Sequence, residues 1–148
     1  MEKLVRHLMS RNIEIKLVKD WPEGDIVNLY KAGGWWKEHY DSSGIKRLID
    51  GSFVFAVAVE KKSGKAVGMG RVISDGVSDA YIQDLVVLPE YRKQGVGKQI
   101  VESLLDKCLS EGLHWVGLIA EPGQDKFYTA LGFKQMENHV PMKYRMEE

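Results

Sequence analysis

The sequence predicts an α/β domain (α+β in layout): a mixed, mostly antiparallel sheet with helices on both faces. Three observations carry that expectation. The apolar stretches "SFVFAVAVEK", "AVGMGRVIS" and "AYIQDLVV" follow one another with only the short turns "KSGK" and "DGVSD" between them, the mark of antiparallel hairpins. The period then changes. Ile100, Leu104 and Cys108 form one helical stripe and Val101, Leu105 and Leu109 the next, so residues 95–111 read as an amphipathic helix stopped by Gly112. The chain has 148 residues, which suits one domain, 1–148, with its own core.

The remaining elements follow in chain order. Residues 1–12 carry Leu4, Val5, Leu8 and Met9 at helical spacing and read as an N-terminal extension or a short helix. "IEIKLV", residues 13–18, alternates apolar and polar residues and predicts a strand. "WPEGDIVNLYKAGG" opens with a proline and closes on two glycines, as a short helix does. "DSSGIKRLIDG" predicts a second. Beyond the long helix, "HWVGLIA" reads as a buried strand, "GQDKFYTALGF" as a short helix ending at Gly132, and Val140–Tyr144 as a last strand. The expected order is β-α-α-β-β-β-α-β-α-β.

Composition narrows the function. Lysine plus arginine equals aspartate plus glutamate at 21 each, so the formal net charge is zero and a nucleic-acid partner is not expected. One cysteine, Cys108, allows neither an intramolecular disulfide nor a multi-cysteine metal site. It fits a reducing compartment, and a cytoplasmic location is the expectation. The N-terminus lacks a continuous apolar core of a secretory signal. No apolar run reaches the roughly 20 residues of a membrane helix, so no membrane partner is expected.

"PEYRKQGVGKQIV", residues 89–101, carries the chemistry. Glycine is a poor helix former, yet Gly95 and Gly97 stand where the long helix begins. A helix N-terminus presents backbone N–H groups without intrahelical partners, and its dipole adds partial positive charge. Bare backbone there admits an anion, with phosphate the usual guest, and Arg92, Lys93 and Lys98 add formal charge. The missing Gly-Lys-Ser/Thr ending excludes a P-loop, and the antiparallel setting of the preceding strand excludes the dinucleotide fingerprint.

"LVVLPEYRKQGVGKQIV" resembles motif A of the GNAT superfamily, the acyl-CoA-dependent N-acyltransferases, through Arg92, Gly95 and Gly97. "FYTALGF" resembles the family's motif B through Tyr128, Gly132 and Phe133. The resemblance implies a GNAT-like fold whose sheet is splayed between two strands. It implies that the amides of Lys93, Gln94, Gly95, Val96, Gly97 and Lys98, with Arg92 opening the loop, bind the pyrophosphate of acetyl-CoA, the acyl donor. A bulge is expected in the strand before the loop. The pantetheine arm would pair there with main-chain groups of Leu85 and Val87, with Val86 between. The Leu85 N–H would then face the thioester carbonyl.

The reaction implied is direct attack of a primary amine on the acetyl group in a ternary complex. Tyr128 is the expected acid or sulfur-positioning group, with a buried packing tyrosine as the alternative. Asp84 is the candidate base, or else a carboxylate that orders a neighbouring loop. Glu121, at the end of the following strand, is a second candidate base on the acceptor side, or else a solvated strand-end carboxylate; His39 and His114 are weaker candidates, and part of the family uses only a water chain. Trp35 and Trp36, with Tyr30 and Tyr40, would wall the acceptor pocket or cap the core. Cys108 reads as a buried apolar residue. No metal is expected. A small-molecule amine is the leading acceptor; the alternatives are a protein lysine or N-terminus, and a CoA-binding module without turnover. Many family members dimerise, so the resemblance also suggests a homodimer.

Overall fold

A computed structural model describes residues 12–145. Contacts among the described residues separate the chain after Gly117 into two compact units. The first contains β1 (Ile13–Leu17), α1 (Glu23–Ala32), α2 (Gly44–Gly51), β2 (Val54–Glu60), β3 (Ala66–Ser74), β4 (Ala80–Val87), a 3-10 turn at Pro89–Tyr91, α3 (Val96–Ser110) and β5 (Val116–Gly117). The second contains α4 (Asp125–Thr129). Nearly all of the expected 1–12 extension lies outside the described residues.

The strands form one sheet in the order β1-β2-β3-β4-β5. Neighbours from β1 to β4 are antiparallel, and β4–β5 is parallel. All residues from Val54 to Val59 are buried, as expected of a strand covered on both faces. The coverings follow from the alternation of β3. A Cβ built on Gly68 would lie 3.1 Å from Ile100 Cδ1, and one on Gly70 3.0 Å from Ile100 Cγ2, so α3 presses directly on this strand. Met69, between the two glycines, belongs instead to a cluster with Ile26, Leu29 and Tyr30 of α1. Helices therefore lie on both faces. The fully buried Ile26, Leu29, Ile100 and Leu104 anchor them, each side chain contributing about 1.5–3 kcal/mol on burial.

Punctuation explains the helix ends. Pro22, at φ −52°, leads into α1, and Glu23 and Asp25 place negative charge at its positive end. Gly112 adopts φ +84° just beyond α3, where Leu113 N–H donates to the Cys108 carbonyl.

Two expected strands are corrected. The stretch 114–120 forms a strand only at Val116–Gly117; Trp115 and Ile119 are exposed, so no buried face sustains pairing along it. Residues 140–144 form no strand at all. Val140, Met142 and Tyr144 are all exposed, so their alternation has no core to define a face.

Candidate active site

The register of the sheet shifts at two places: between Ala58 and Val59 of β2, opposite β3, and where β3 meets the second half of β4. Met69 pairs with Val86 and Arg71 with Gln83, so Gly70 alone stands against two residues, Asp84 and Leu85. This is a β-bulge, and Asp84 takes up the extra length at φ +60°. Left-handed backbone costs an L-residue roughly 1–2 kcal/mol, least for Asn and Asp. The two bulge residues face opposite ways. Leu85 packs toward α3, its Cδ1 lying 3.5 Å from a Cβ built on Gly70. Asp84 turns toward α1.

There the Asp84 carboxylate receives two hydrogen bonds on one oxygen. Arg71 Nε donates to Oδ2 at 2.6 Å and Tyr30 Oη donates to it at 2.8 Å. The Arg71 and Asp84 side chains are 17% and 22% exposed, enough shielding for the pair to outweigh an ordinary surface ion pair. Arg71 Nη1 also reaches the hydroxyl of the buried Ser52 at 3.5 Å. Burial, then the Asp84 carboxylate, pushes the Tyr30 phenol well above the ordinary tyrosine range, so it remains a proton donor. Tyr30 was expected as pocket wall or core cap; its hydroxyl bonds Asp84. Arg71 was not anticipated. The signal was present, since "AVGMGRVIS" holds one charge in an otherwise apolar strand, and such a charge needs a partner.

Both tryptophans are half-buried and pack against the core cluster. A Cβ on Gly33 would stand 2.6 Å from the Trp35 ring, so Trp35 folds back over the end of α1 and packs against the core cluster. Trp36 also packs there, with ring centroids 6.5 Å from Tyr30 and 5.5 Å from Tyr40. A second aromatic group was missed. Ile73 pairs with Tyr81, Tyr81 pairs with Gly117, and the Trp115 ring lies over Gly117. This row shares the sheet face of Arg71 and Gln83, and its three side chains are 41–46% exposed. The β4–β5 register covers only two residue pairs, ending at Tyr81 and Gly117, short of the bulge.

The loop after β4 has the backbone expected of an anion cradle. Lys93 lies at φ +61° and Gly95 at φ +83°, and α3 begins at Val96. The first helical bond runs from Gln99 N–H to the Gly95 carbonyl at 3.1 Å, so the amides of Val96, Gly97 and Lys98 stand ahead of the helical ladder. Nothing lies within 4 Å of a Cβ built on Gly95; backbone conformation, not crowding, requires glycine there. Gly97 shows no positive φ and belongs to the first helical turn. The loop is braced at three points. Tyr91 Oη donates to Glu60, Arg92 Nε donates to the Val87 carbonyl at 2.9 Å, and Gln94 Nε2 donates to the Glu90 carbonyl at 3.2 Å. Arg92 thus already occupies one lone pair of the carbonyl expected to pair with the pantetheine arm; the second lone pair remains an acceptor. Gln94 Oε1 is buried without a hydrogen-bond partner, an acceptor inside the same loop that an N–H or O–H of a bound group could satisfy. Free amides and the left-handed glycine fit a CoA diphosphate; the orphaned acceptor calls for a donor, which the diphosphate itself does not carry.

In the second unit, Tyr128 sits in α4 and stacks edge-on with Phe133 at 5.8 Å. Burial first, and the Glu121 carboxylate second, raise its phenol above the usual value. Its carbonyl accepts the N–H groups of Leu131 and Phe133, closing the turn around Gly132 at φ +100°. Cys108 is buried, which pushes its thiol up and away from nucleophilic use. His39 and His114 are exposed.

A bulged sheet strand running into a glycine-opened helix N-terminus defines the fold class of acyl-CoA-dependent acyltransferases. Comparison with known proteins makes this specific: the family described as "Acetyltransferase (GNAT) family" matches residues 15–133, and the chain belongs to it. It is 31% identical over 111 residues to the uncharacterized N-acetyltransferase ycf52 of Gracilaria tenuistipitata var. liui, covering 74% of this chain and 60% of that protein. The chain therefore spans less than two thirds of that curated relative's length. Among solved structures it is similar to a GNAT-family acetyltransferase of Streptococcus pneumoniae, with TM-score 0.71, 28% identity, and 92% of this chain and 99% of that chain covered. It also shares its fold with AAC(6')-Iy bound to the bisubstrate analog CoA-S-monomethyl-acetylneamine, with TM-score 0.70, 19% identity, and 90% and 99% covered.

Proposed function

We propose that the protein transfers an acetyl group from acetyl-CoA to the primary amine of a small molecule, by direct attack in a ternary complex. The observation that carries this reading is the bulge at Asp84 and Leu85 leading straight into the Gly95 cradle. One segment thereby offers a main-chain donor for a thioester and an anion site for the diphosphate behind it. The reaction joins the amine nitrogen to the acetyl carbon and releases CoA as its thiol.

Each residue then has a task. Gly95, Val96, Gly97 and Lys98 hold the diphosphate by their amides, with Lys93 adding charge. Leu85 N–H stabilises negative charge on the carbonyl oxygen during attack. Asp84, gripped through Oδ2, uses Oδ1 to take up the amine's proton directly or through water. Tyr128 gives a hydrogen bond or a proton to the departing sulfur; its raised pKa keeps the phenol protonated but makes it a weaker acid, which favours the hydrogen bond. Trp36, Tyr40 and the exposed Ile73–Tyr81–Trp115 row favour an amine with an apolar or aromatic body.

Initial rates with both substrates varied, together with the product mass, test this reading. Intersecting double-reciprocal lines and an acetylated amine are expected. Parallel lines with an acetylated protein would contradict direct attack.

A further inference from the structure

We propose that Arg71 and Tyr30 are positioning residues: by gripping Asp84 Oδ2 from β3 and from α1 they hold the bulge in its left-handed form and so fix the direction of the Leu85 N–H. The proposal rests on the role given above to that N–H.

The geometry leads there in three steps. Asp84 and Leu85 have no partner in the β3–β4 register, so their peptide lacks the residue-to-residue pairing that holds its neighbours in β4. Asp84 sits at φ +60° without the conformational freedom of glycine, so something outside the backbone must hold it. Its side chain supplies that hold, through bonds of 2.6 Å to Arg71 and 2.8 Å to Tyr30, anchored in two different elements. On the opposite face the Leu85 side chain lies beside Gly70, its Cδ1 3.5 Å from where a Cβ would stand. The peptide joining residues 84 and 85 is thus fixed from both sides of the sheet. Arg71 is itself braced by Ser52, which donates its hydroxyl to the Leu48 carbonyl at 2.7 Å.

A carboxylate that both faces the acceptor and sets the amide facing the donor couples the two halves of the reaction. A base alone would need neither the bulge nor two donors on its far oxygen. The two roles separate by substitution. Asp84→Asn tolerates the same backbone and can still accept from Arg71 and Tyr30 through Oδ1, but it cannot take a proton. Tyr30→Phe removes only a hydroxyl and leaves the α1 packing in place.

The test follows the Leu85 amide of 15N-labelled protein by hydrogen exchange and by its resonance on adding acetyl-CoA, with Ile82 in the same strand as a control, alongside steady-state kinetics. In Tyr30→Phe and Arg71→Ala, Leu85 exchange should quicken while Ile82 stays put, and the acetyl-CoA-induced shift at Leu85 should shrink. kcat should fall about tenfold or more with KM for acetyl-CoA within about twofold, as expected when orientation rather than binding is lost. Guanidinium ion should restore part of the Arg71→Ala loss. Asp84→Asn should lose kcat yet keep the Leu85 response. Unchanged Leu85 behaviour in both Tyr30→Phe and Arg71→Ala overturns the proposal, as does equal loosening of Ile82. If the wild-type protein acetylates no amine, the transferase reading fails, and the amide response still decides this one.

Discussion

Gly95 and Asp84 both adopt left-handed backbone in the segment that forms the site, for opposite reasons. Gly95, at φ +83°, has open space where a side chain would be; the conformation is held by leaving an atom out. Asp84, at φ +60°, is held by what its side chain binds. Hydrogen bonds to a charged group contribute about 1.5–3 kcal/mol each, so two of them exceed the roughly 1–2 kcal/mol of left-handed strain. The cradle is cheap and exposed, and suits an anion arriving from solvent. The bulge is costly and shielded, and suits a group that must point one way.

The comparison predicts that damage at the two places separates cleanly. The largest effect is expected at the bulge. Asp84→Ala should lower kcat by about 10²–10⁴-fold while acetyl-CoA affinity by titration calorimetry changes only a few-fold. An equal loss in both would merge the two regions.

Next is the cradle. Gly95→Val places a β-branched side chain in left-handed backbone beside the free amides, and should weaken acetyl-CoA binding about tenfold or more. Unchanged affinity in the same calorimetric assay would remove the anion site from this loop. Stability sharpens the contrast further: Gly95→Ala should cost roughly 1 kcal/mol in denaturant unfolding, and Gly95→Asn less, because Asn tolerates the conformation. Equal costs would mean that backbone strain is not what selects glycine here.

The smallest effect concerns pH. The folded-state pKa of Tyr30 is raised above its unfolded value of 10.0, chiefly by burial and then by Asp84. The unfolded chain therefore ionises first, and the stability that Tyr30 contributes is present below pH 10 and lost as pH climbs above it. Tyr30→Phe should flatten this alkaline limb in urea melts. An unaltered slope would separate Tyr30 from the buried Asp84 contact.

The same difference explains what the sequence reveals. The cradle was legible because glycines before a helical stripe violate local propensity, and such a violation shows in the letters. β3, β4 and α3 were legible because their apolar periods are long. The grip on Asp84 was not, since Arg71 and Tyr30 come from different elements and meet only through register. The letters could say that Arg71 needed a partner, not which one. Trp35 and Trp36 show the same limit: composition marked them, and packing set both against the core cluster. The stretches 114–120 and 140–144 carried strand-like residues, but pairing also needs a buried face, which only the folded chain supplies.

The central claim, that this bulge and this cradle serve one acyl transfer, is tested most directly by free-thiol release from acetyl-CoA. The wild-type and Asp84→Ala proteins should be compared across a panel of primary amines with polar, aliphatic and aromatic bodies. The account predicts amine-dependent thiol release by the wild-type protein, strongest with apolar or aromatic amines, and its near-loss in Asp84→Ala. Thiol release that no amine stimulates, or that Asp84→Ala retains in full, would contradict it.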